Sequence, residues 1–361
     1  MSQANLQRCS VCKVKITDSD RVLFSNGTPG TRGRLWARVC QYANTAGCIN
    51  QEQDLIGEVK KEDRYKPAFF PKEQGGYVFE RFERAAIIGC GYVGTALATY
   101  WKGQQGYSVT ATTTREQRIE ELEKVASQVV VMKGQDSQSV RSLLQNHDTV
   151  VLSIAPISDR QVDAQVYRET FIPTAKNLVE ALQDTGPVKQ IVYLSSCSVY
   201  GNKKGEWVDE NAPVETNSEY NQVLCEAEQI LLDSANEDVK VSILRLGGIY
   251  GPQRELTKRL GRIAGKTIPG NGDTFTSWIH LDDIIAAIDF LCQKRLDGIY
   301  NLVNDFNMTI GELCDRVCDR QGLQKIVWDS SKPTFRDLNA RINNQKIKAA
   351  GYKFIHPQTI V

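Results

Sequence analysis

The run Ala85-Ala86-Ile87-Ile88-Gly89-Cys90-Gly91-Tyr92-Val93-Gly94-Thr95-Ala96-Leu97-Ala98 constrains the fold more than any other part of this chain. It reads as a short apolar strand, a glycine-rich turn, and a helix of small and apolar residues. That is the order of a dinucleotide-binding βα unit. In such a unit Gly89 permits the tight turn, Gly91 lets the backbone approach a pyrophosphate, and Gly94 lets the helix pack close to the strand. The helix N-terminus at Tyr92 and Val93 then presents unpaired N–H groups and a partial positive charge to the phosphates. The glycine spacing alone recurs in ordinary turns; the strand before it and the helix after it give it weight.

From Ala85 onward the pattern repeats. Strand-like runs at Val109–Thr113, Val129–Met132, Thr149–Ile154, Gln190–Ser195 and Val239–Leu246 alternate with helical stretches. Alternating strands and helices imply a parallel sheet with crossover helices on both faces. The expected fold class is therefore α/β: a Rossmann-type doubly wound parallel sheet over residues 83–361, with a small C-terminal substrate lobe built from pieces after Tyr250. Residues 1–54 read as a small, cysteine-containing, β-rich module, and the charged stretch 55–82, with Pro67 and Pro71, as a linker. The 44 basic and 43 acidic residues leave a net charge of +1, which argues against a dedicated nucleic-acid binder. No apolar run reaches the roughly 18 residues of a membrane span, and the first residues lack the apolar core of a secretion signal. A reducing, cytoplasmic location is expected, with the cysteines as thiols or metal ligands.

At the end of the second strand, an acid about 20 residues past the glycines would hold the ribose 2′-hydroxyl of NAD. This chain has Thr112-Thr113-Thr114-Arg115 there, with no acid before Glu116. Hydroxyls and a guanidinium suit a 2′-phosphate, so Thr114 and Arg115 favour NADP over NAD. The alternative is that Arg115 is a solvated residue opening the next helix. Asp136, after the third strand, is placed to offer a side chain to the adenine edge, and Ala155-Pro156, after the fourth, to let the backbone pass close to the cofactor.

Three further stretches follow in order: Ser195-Ser196-Cys197-Ser198-Val199-Tyr200-Gly201, Arg245-Leu246-Gly247-Gly248-Ile249-Tyr250-Gly251-Pro252 and Trp278-Ile279-His280-Leu281-Asp282-Asp283. With the glycine motif they make residues 83–355 resemble the atypical and extended short-chain dehydrogenase/reductases, the NAD-dependent epimerase/dehydratase family. The resemblance implies catalysis by a Ser, a Tyr and a Lys. The Tyr moves a proton at the substrate oxygen while the nicotinamide carries hydride. Ser196 matches the family Ser, Tyr220 the family Tyr, and Ser195 lies beside the cofactor. The resemblance also places His280, Asp282 and Asp283 in the scaffold, and Asp282 or Asp283 is expected to cap the next helix, since short acids favour that position. It implies a small-molecule substrate and, by analogy, a homodimer paired through two helices.

The chain departs from the pattern at two positions. Where the family has Lys, one turn after the Tyr, stands Leu224, so any cation serving Tyr220 must come from elsewhere. Gly248 replaces an Asn that many nucleotide-sugar members carry. Tyr200 and Lys204 match Tyr-x-x-x-Lys in letters, but they lie in a Gly-rich loop where one-turn stacking is absent. His147 and His356 show no neighbours in sequence that would make a site.

In the N-terminal module Cys9 and Cys12 form a Cys-x-x-Cys knuckle, and Cys40 with Cys48 could complete a four-thiolate zinc site. The second pair is spaced more widely than usual. Free buried thiols, or a redox-active Cys9/Cys12 pair, are the alternatives. Arg32-Gly33-Arg34-Leu35-Trp36-Ala37-Arg38 reads either as a solvated strand face with Trp36 in the core or as a grip on a phosphate-bearing partner. The expected function is an oxidoreductase or epimerase of a small polar, sugar-like substrate. The competing expectation is a catalytically silent NADP sensor or assembly scaffold that docks a protein partner through the N-terminal module.

Overall fold

The computed structural model describes residues 6–10, 14–17, 20–23, 29–40, 48–60, 63, 84–103, 107–155, 163–184, 186–334 and 338–360. The chain divides into two compact units, Met1–Tyr77 and Val78–Val361.

In the larger unit seven strands form one parallel sheet. They are β1 (Arg84–Ile88), β2 (Ser108–Thr113), β3 (Gln128–Val131), β4 (Thr149–Leu152), β5 (Gln190–Ser196), β6 (Lys240–Leu246) and β7 (Gly298–Leu302). Their order across the sheet is β7-β6-β5-β4-β1-β2-β3, every pairing parallel. Six helices matter here: α1 (Tyr92–Lys102), α2 (Ser137–Leu144), α3 (Ala164–Asp184), α4 (Glu219–Leu232), α5 (Leu281–Lys294) and α6 (Ile310–Gln321). Successive strand residues face opposite sides. Ile87, Val151, Val192 and Leu244 therefore join a core with α1 and α5, while Ile88, Val150, Ile191 and Ile243 join one with α2, α3 and α4. This is the doubly wound architecture the alternation implies.

One buried acid pins α1 to α5. Asp289 accepts hydrogen bonds from Trp101 Nε1 at 2.8 Å and Gln293 Nε2 at 2.6 Å. A third apolar cluster, containing Tyr250, Leu256, Leu260, Trp278, Ile310, Leu313 and Val317, builds the small lobe after Tyr250. The stretch after β5 pairs its strand Asn202–Val208 with Asn339–Ile342. Lys204 lies on that strand and Tyr200 is buried beneath it, so the Tyr-x-x-x-Lys match has no helix under it. The N-cap of α5 corrects an expectation: His280, not an aspartate, caps it, Nδ1 accepting the Asp282 N–H at 3.1 Å. Among the described residues no helix is long and apolar enough to cross a membrane.

The smaller unit carries an antiparallel three-stranded sheet of Leu6–Arg8, Lys15–Thr17 and Val22–Leu23 around Ile16, Val22, Leu35 and Cys40. The stretch read as a strand face is helical instead. Thr31 caps it by accepting the Arg34 N–H, and Arg32–Leu35 runs on into a π-turn over Trp36–Cys40. Arg32 points inward, donating to Asp20 Oδ1 at 2.7 Å and to the Ile49 carbonyl at 3.1 Å. That side chain is therefore committed within the unit. Ile56 and Asp63, inside the charged stretch read as a linker, are buried.

Candidate functional site

The sheet order reverses between β1 and β4, and a parallel sheet opens a crevice at the carboxyl ends of its strands at such a point. Gly89 follows β1, Ala155 follows β4, and Ser196 ends β5, so three adjacent strands deliver these residues to one edge.

The glycine turn is shaped for a ligand. Gly89 has φ +92°, and a Cβ there would lie 2.6 Å from the Ser153 carbonyl oxygen. A Cβ on Gly94 would lie 2.6 Å from the Gly89 carbonyl oxygen, so α1 packs on the turn only with glycine there. Gly91 differs: a Cβ would meet nothing within 4 Å. No protein side chain or backbone fills that space, which leaves it open to a group lying against the turn. Gly91 is also the N-cap of α1 and no side chain caps it, leaving the helix N-terminus at Tyr92 and Val93 suited to an anion. These features fit the diphosphate of a dinucleotide.

Around the turn sit two arginines that sequence reasoning passed over. Arg118 donates through Nη1 to the Cys90 carbonyl and through Nη2 to Thr95 Oγ1 at 3.2 Å, while pairing with Glu121 at 2.7 Å. Thr114 and Arg115 are exposed, and Arg115 opens the short 3₁₀ turn Glu116–Arg118 that carries Arg118 back over the glycines. The signal was a second basic residue three positions on, one 3₁₀ turn away. Arg254 stacks over the Tyr92 ring at 4.2 Å, and the Tyr92 hydroxyl donates to the Pro252 carbonyl at 2.7 Å.

Asp136 caps α2, accepting from the N–H groups of Gln138 and Ser139 and the Ser139 hydroxyl; the Ser139 hydroxyl foremost holds its carboxyl below the usual range. Ala155 is exposed beside the crevice, and Pro156 lies outside the described residues.

Ser195 and Ser196 point to opposite faces. Ser196 Oγ accepts the Ser198 N–H at 3.1 Å, capping the 3₁₀ turn Cys197–Tyr200. The Ser195 hydroxyl turns inward and donates to Glu228 Oε1 at 2.5 Å, so it is not presented to a cofactor. It joins a buried network. Arg245 grips Glu228 with Nη2 at 2.7 Å and donates through Nη1 to the Tyr200 hydroxyl at 3.0 Å, which donates to Asn301 Oδ1 at 2.7 Å. The network was legible: Glu228 lies one turn beyond Leu224 on an apolar stripe, and Arg245 interrupts an apolar strand.

Tyr220 is the second residue of α4, half-buried, with its ring edge-on to Tyr167 at 5.2 Å. Asn221 Nδ2 donates to the Ser198 carbonyl at 2.9 Å, tying the start of α4 to the turn that Ser196 caps. Leu224 is buried in the core. The family Lys position is thus filled by a buried apolar side chain.

Of the four cysteines, Cys9 and Cys40 are buried and Cys48 is half-buried, with Cys48 Sγ 3.7 Å from Cys40 Sγ; Cys12 lies outside the described residues. Among the described residues the grouping of metal-ligating side chains lies elsewhere, at His280, Asp282 and His356. His356, without a partner in sequence, hydrogen-bonds through Nε2 to Asp282 Oδ2 at 2.9 Å. His147 is satisfied in the interior by Leu143 O and Thr110 Oγ1.

Comparison with known proteins bears on the family and the fold. The model of the NAD dependent epimerase/dehydratase family matches residues 85–303. Protein YeeZ of Escherichia coli K12 is 30% identical over 227 residues, 61% of this chain and 77% of YeeZ. Among solved structures, the UDP-glucose 4-epimerase of Thermotoga maritima with UDP-glucose aligns with a TM-score of 0.61 at 20% identity, over 74% of this chain and 91% of that one. The dTDP-glucose 4,6-dehydratase DesIV of Streptomyces venezuelae, with NAD bound, aligns with a TM-score of 0.60 at 22% identity, over 74% and 90%. At that identity the likeness speaks to the fold.

Proposed function

The chain belongs to the NAD-dependent epimerase/dehydratase family, and on that premise we propose that it is an NAD(P)-dependent oxidoreductase or epimerase of a small polar, sugar-like substrate. The observation that carries the proposal is Gly91: bare with open space around it, at an uncapped helix N-terminus, on the crevice edge that Ser196 also reaches. The backbone at Gly89, Gly91, Tyr92 and Val93 would hold the diphosphate. A bound nicotinamide would supply hydride transfer. Ser196 would orient the substrate oxygen and Tyr220 would give or take its proton. Replacing Tyr220 by Phe should lower kcat for an identified substrate at least a hundredfold while leaving cofactor affinity unchanged. Unchanged turnover would remove Tyr220 from the reaction.

For the cofactor we propose NADP. Arg118, already directed at the turn, and Arg115 beside it would pair with a 2′-phosphate, and no carboxylate precedes Glu116 to repel one. Arg118→Ala should weaken NADPH binding about tenfold and leave NADH binding nearly unchanged, as read by fluorescence titration.

The second reading, a silent cofactor sensor or scaffold, is favoured by Leu224, whose burial removes the one-turn cation partner of Tyr220. Cofactor binding without turnover across a sugar-nucleotide panel would support it. In the N-terminal unit we propose zinc held by Cys9, Cys12, Cys40 and Cys48. The 3.7 Å Sγ separation of Cys40 and Cys48 matches the edge of a tetrahedron with Zn–S bonds of about 2.3 Å. Loss of that zinc in Cys40→Ser, measured by elemental analysis, tests it.

A further inference from the structure

We propose that His280, Asp282 and His356 form a divalent-metal site of the larger unit, two imidazoles and one carboxylate, taking zinc or a similar borderline ion. The ligand atoms of the three side chains all lie within 4.8 Å of one another. Asp282 Oδ2 is 2.9 Å from His356 Nε2 and 3.4 Å from His280 Nδ1. A metal with ligand bonds near 2.1 Å sets adjacent donors about 3.0–3.4 Å apart. The 3.4 Å separation falls within that range and the 2.9 Å separation just below it. The two ring centroids stand 4.0 Å apart, with the rings tilted by 57°.

Three features prepare the donors. The Asp282 N–H is directed at His280 Nδ1, which fixes that atom as the unprotonated nitrogen, the tautomer a ligand at Nδ1 requires. An entering ion takes over that lone pair and releases the cap. Next, Asp283 is buried directly behind the group. Its carboxylate accepts the N–H groups of Ile355 at 2.7 Å and His356 at 2.9 Å and the Tyr352 hydroxyl at 2.9 Å. This clamp delivers His356 to helix α5 from more than seventy residues away. Third, the Tyr250 ring packs edge-on against His280 at 5.0 Å and holds its plane. The positive end of α5 opposes a cation here, and Asp282 with Asp283, both in the first turn, offset it. Donors of two imidazoles and one oxygen select zinc, cobalt, nickel or copper over magnesium or calcium. The site differs in place and chemistry from the proposed thiolate site of the N-terminal unit.

Cobalt(II) separates the two. Chelator-treated full-length protein should bind cobalt in a component that has visible d–d bands but no sulfur-to-cobalt charge transfer. It should also show paramagnetically shifted imidazole protons by NMR. Asp282→Asn and His356→Gln should each lower cobalt affinity of that component at least a hundredfold, leaving any sulfur charge-transfer bands and the NADPH titration as in the parent. The absence of shifted imidazole signals in the parent would overturn the proposal without reference to any variant. Equal cobalt uptake by the parent and both folded variants would overturn it too.

Discussion

At the level of single residues, the three glycines of the turn separate fold from function. Gly94→Ala forces a Cβ against the Gly89 carbonyl at 2.6 Å, so it should lower the melting temperature and cofactor binding together. Gly91→Ala meets no protein atom within 4 Å, so the melting temperature should hold while NADPH affinity falls about tenfold or more, in a paired melt and titration. A second residue-level prediction concerns Cys90, inside the same turn. Burial pushes its thiol up from 9.0 to about 12, against the lowering effect of the Thr112 backbone. The unfolded thiol releases its proton near pH 9 and the folded one does not. Stability from this group is therefore complete below pH 9 and falls as pH rises toward 12, by roughly 1 kcal/mol at pH 10. Urea unfolding at pH 8 and pH 10 reads that loss, and Cys90 should resist alkylation in the native protein at pH 8. The buried pair Arg245–Glu228 is the third case. Glu228→Gln leaves a guanidinium inside the protein with its ionic partner gone, an expected cost of about 3–5 kcal/mol by the same assay.

At the level of elements, α4 shows what was and was not legible. Its apolar stripe, Val223, Leu224, Ala227 and Leu231, marks the buried face of a helix, and the structure buries all four. Leu224 therefore reads two ways from sequence: a lost catalytic cation, or a core position. Only packing decides, because a one-turn spacing fixes the face but not what the face meets. Leu224→Lys should accordingly destabilise by roughly 2–4 kcal/mol without raising turnover, since the new ammonium would enter the core. The strands were legible because parallel strands buried on both faces are nearly continuous apolar runs. The caps were less so. Thr309 and Glu312 close a capping box at the start of α6, worth about 1 kcal/mol to a Thr309→Ala test, whereas His280 caps α5 in a place where aspartates follow directly. Short acids favour that position statistically, but here both were drawn into contacts made by residues near 355, which no local pattern reveals. The helical turn after Thr31 was missed for a similar reason: Arg32 is buried by partners at 20 and 49.

At the level of the whole molecule, the two compact units predict separability. A chain beginning at Val78 should fold cooperatively by itself and bind NADPH as the full chain does; failure to fold would show that the smaller unit completes the larger core. The clamp at Asp283 has a temporal side. A ribosome makes α5 long before it makes Ile355, whose N–H meets the Asp283 carboxylate 72 positions upstream. At about 5–20 residues per second that interval lasts several seconds, during which the Asp283 carboxylate lacks its partners at Tyr352, Ile355 and His356. The nascent Rossmann layers can therefore assemble early, but the latch on them closes only once Ile355 and His356 have left the exit tunnel.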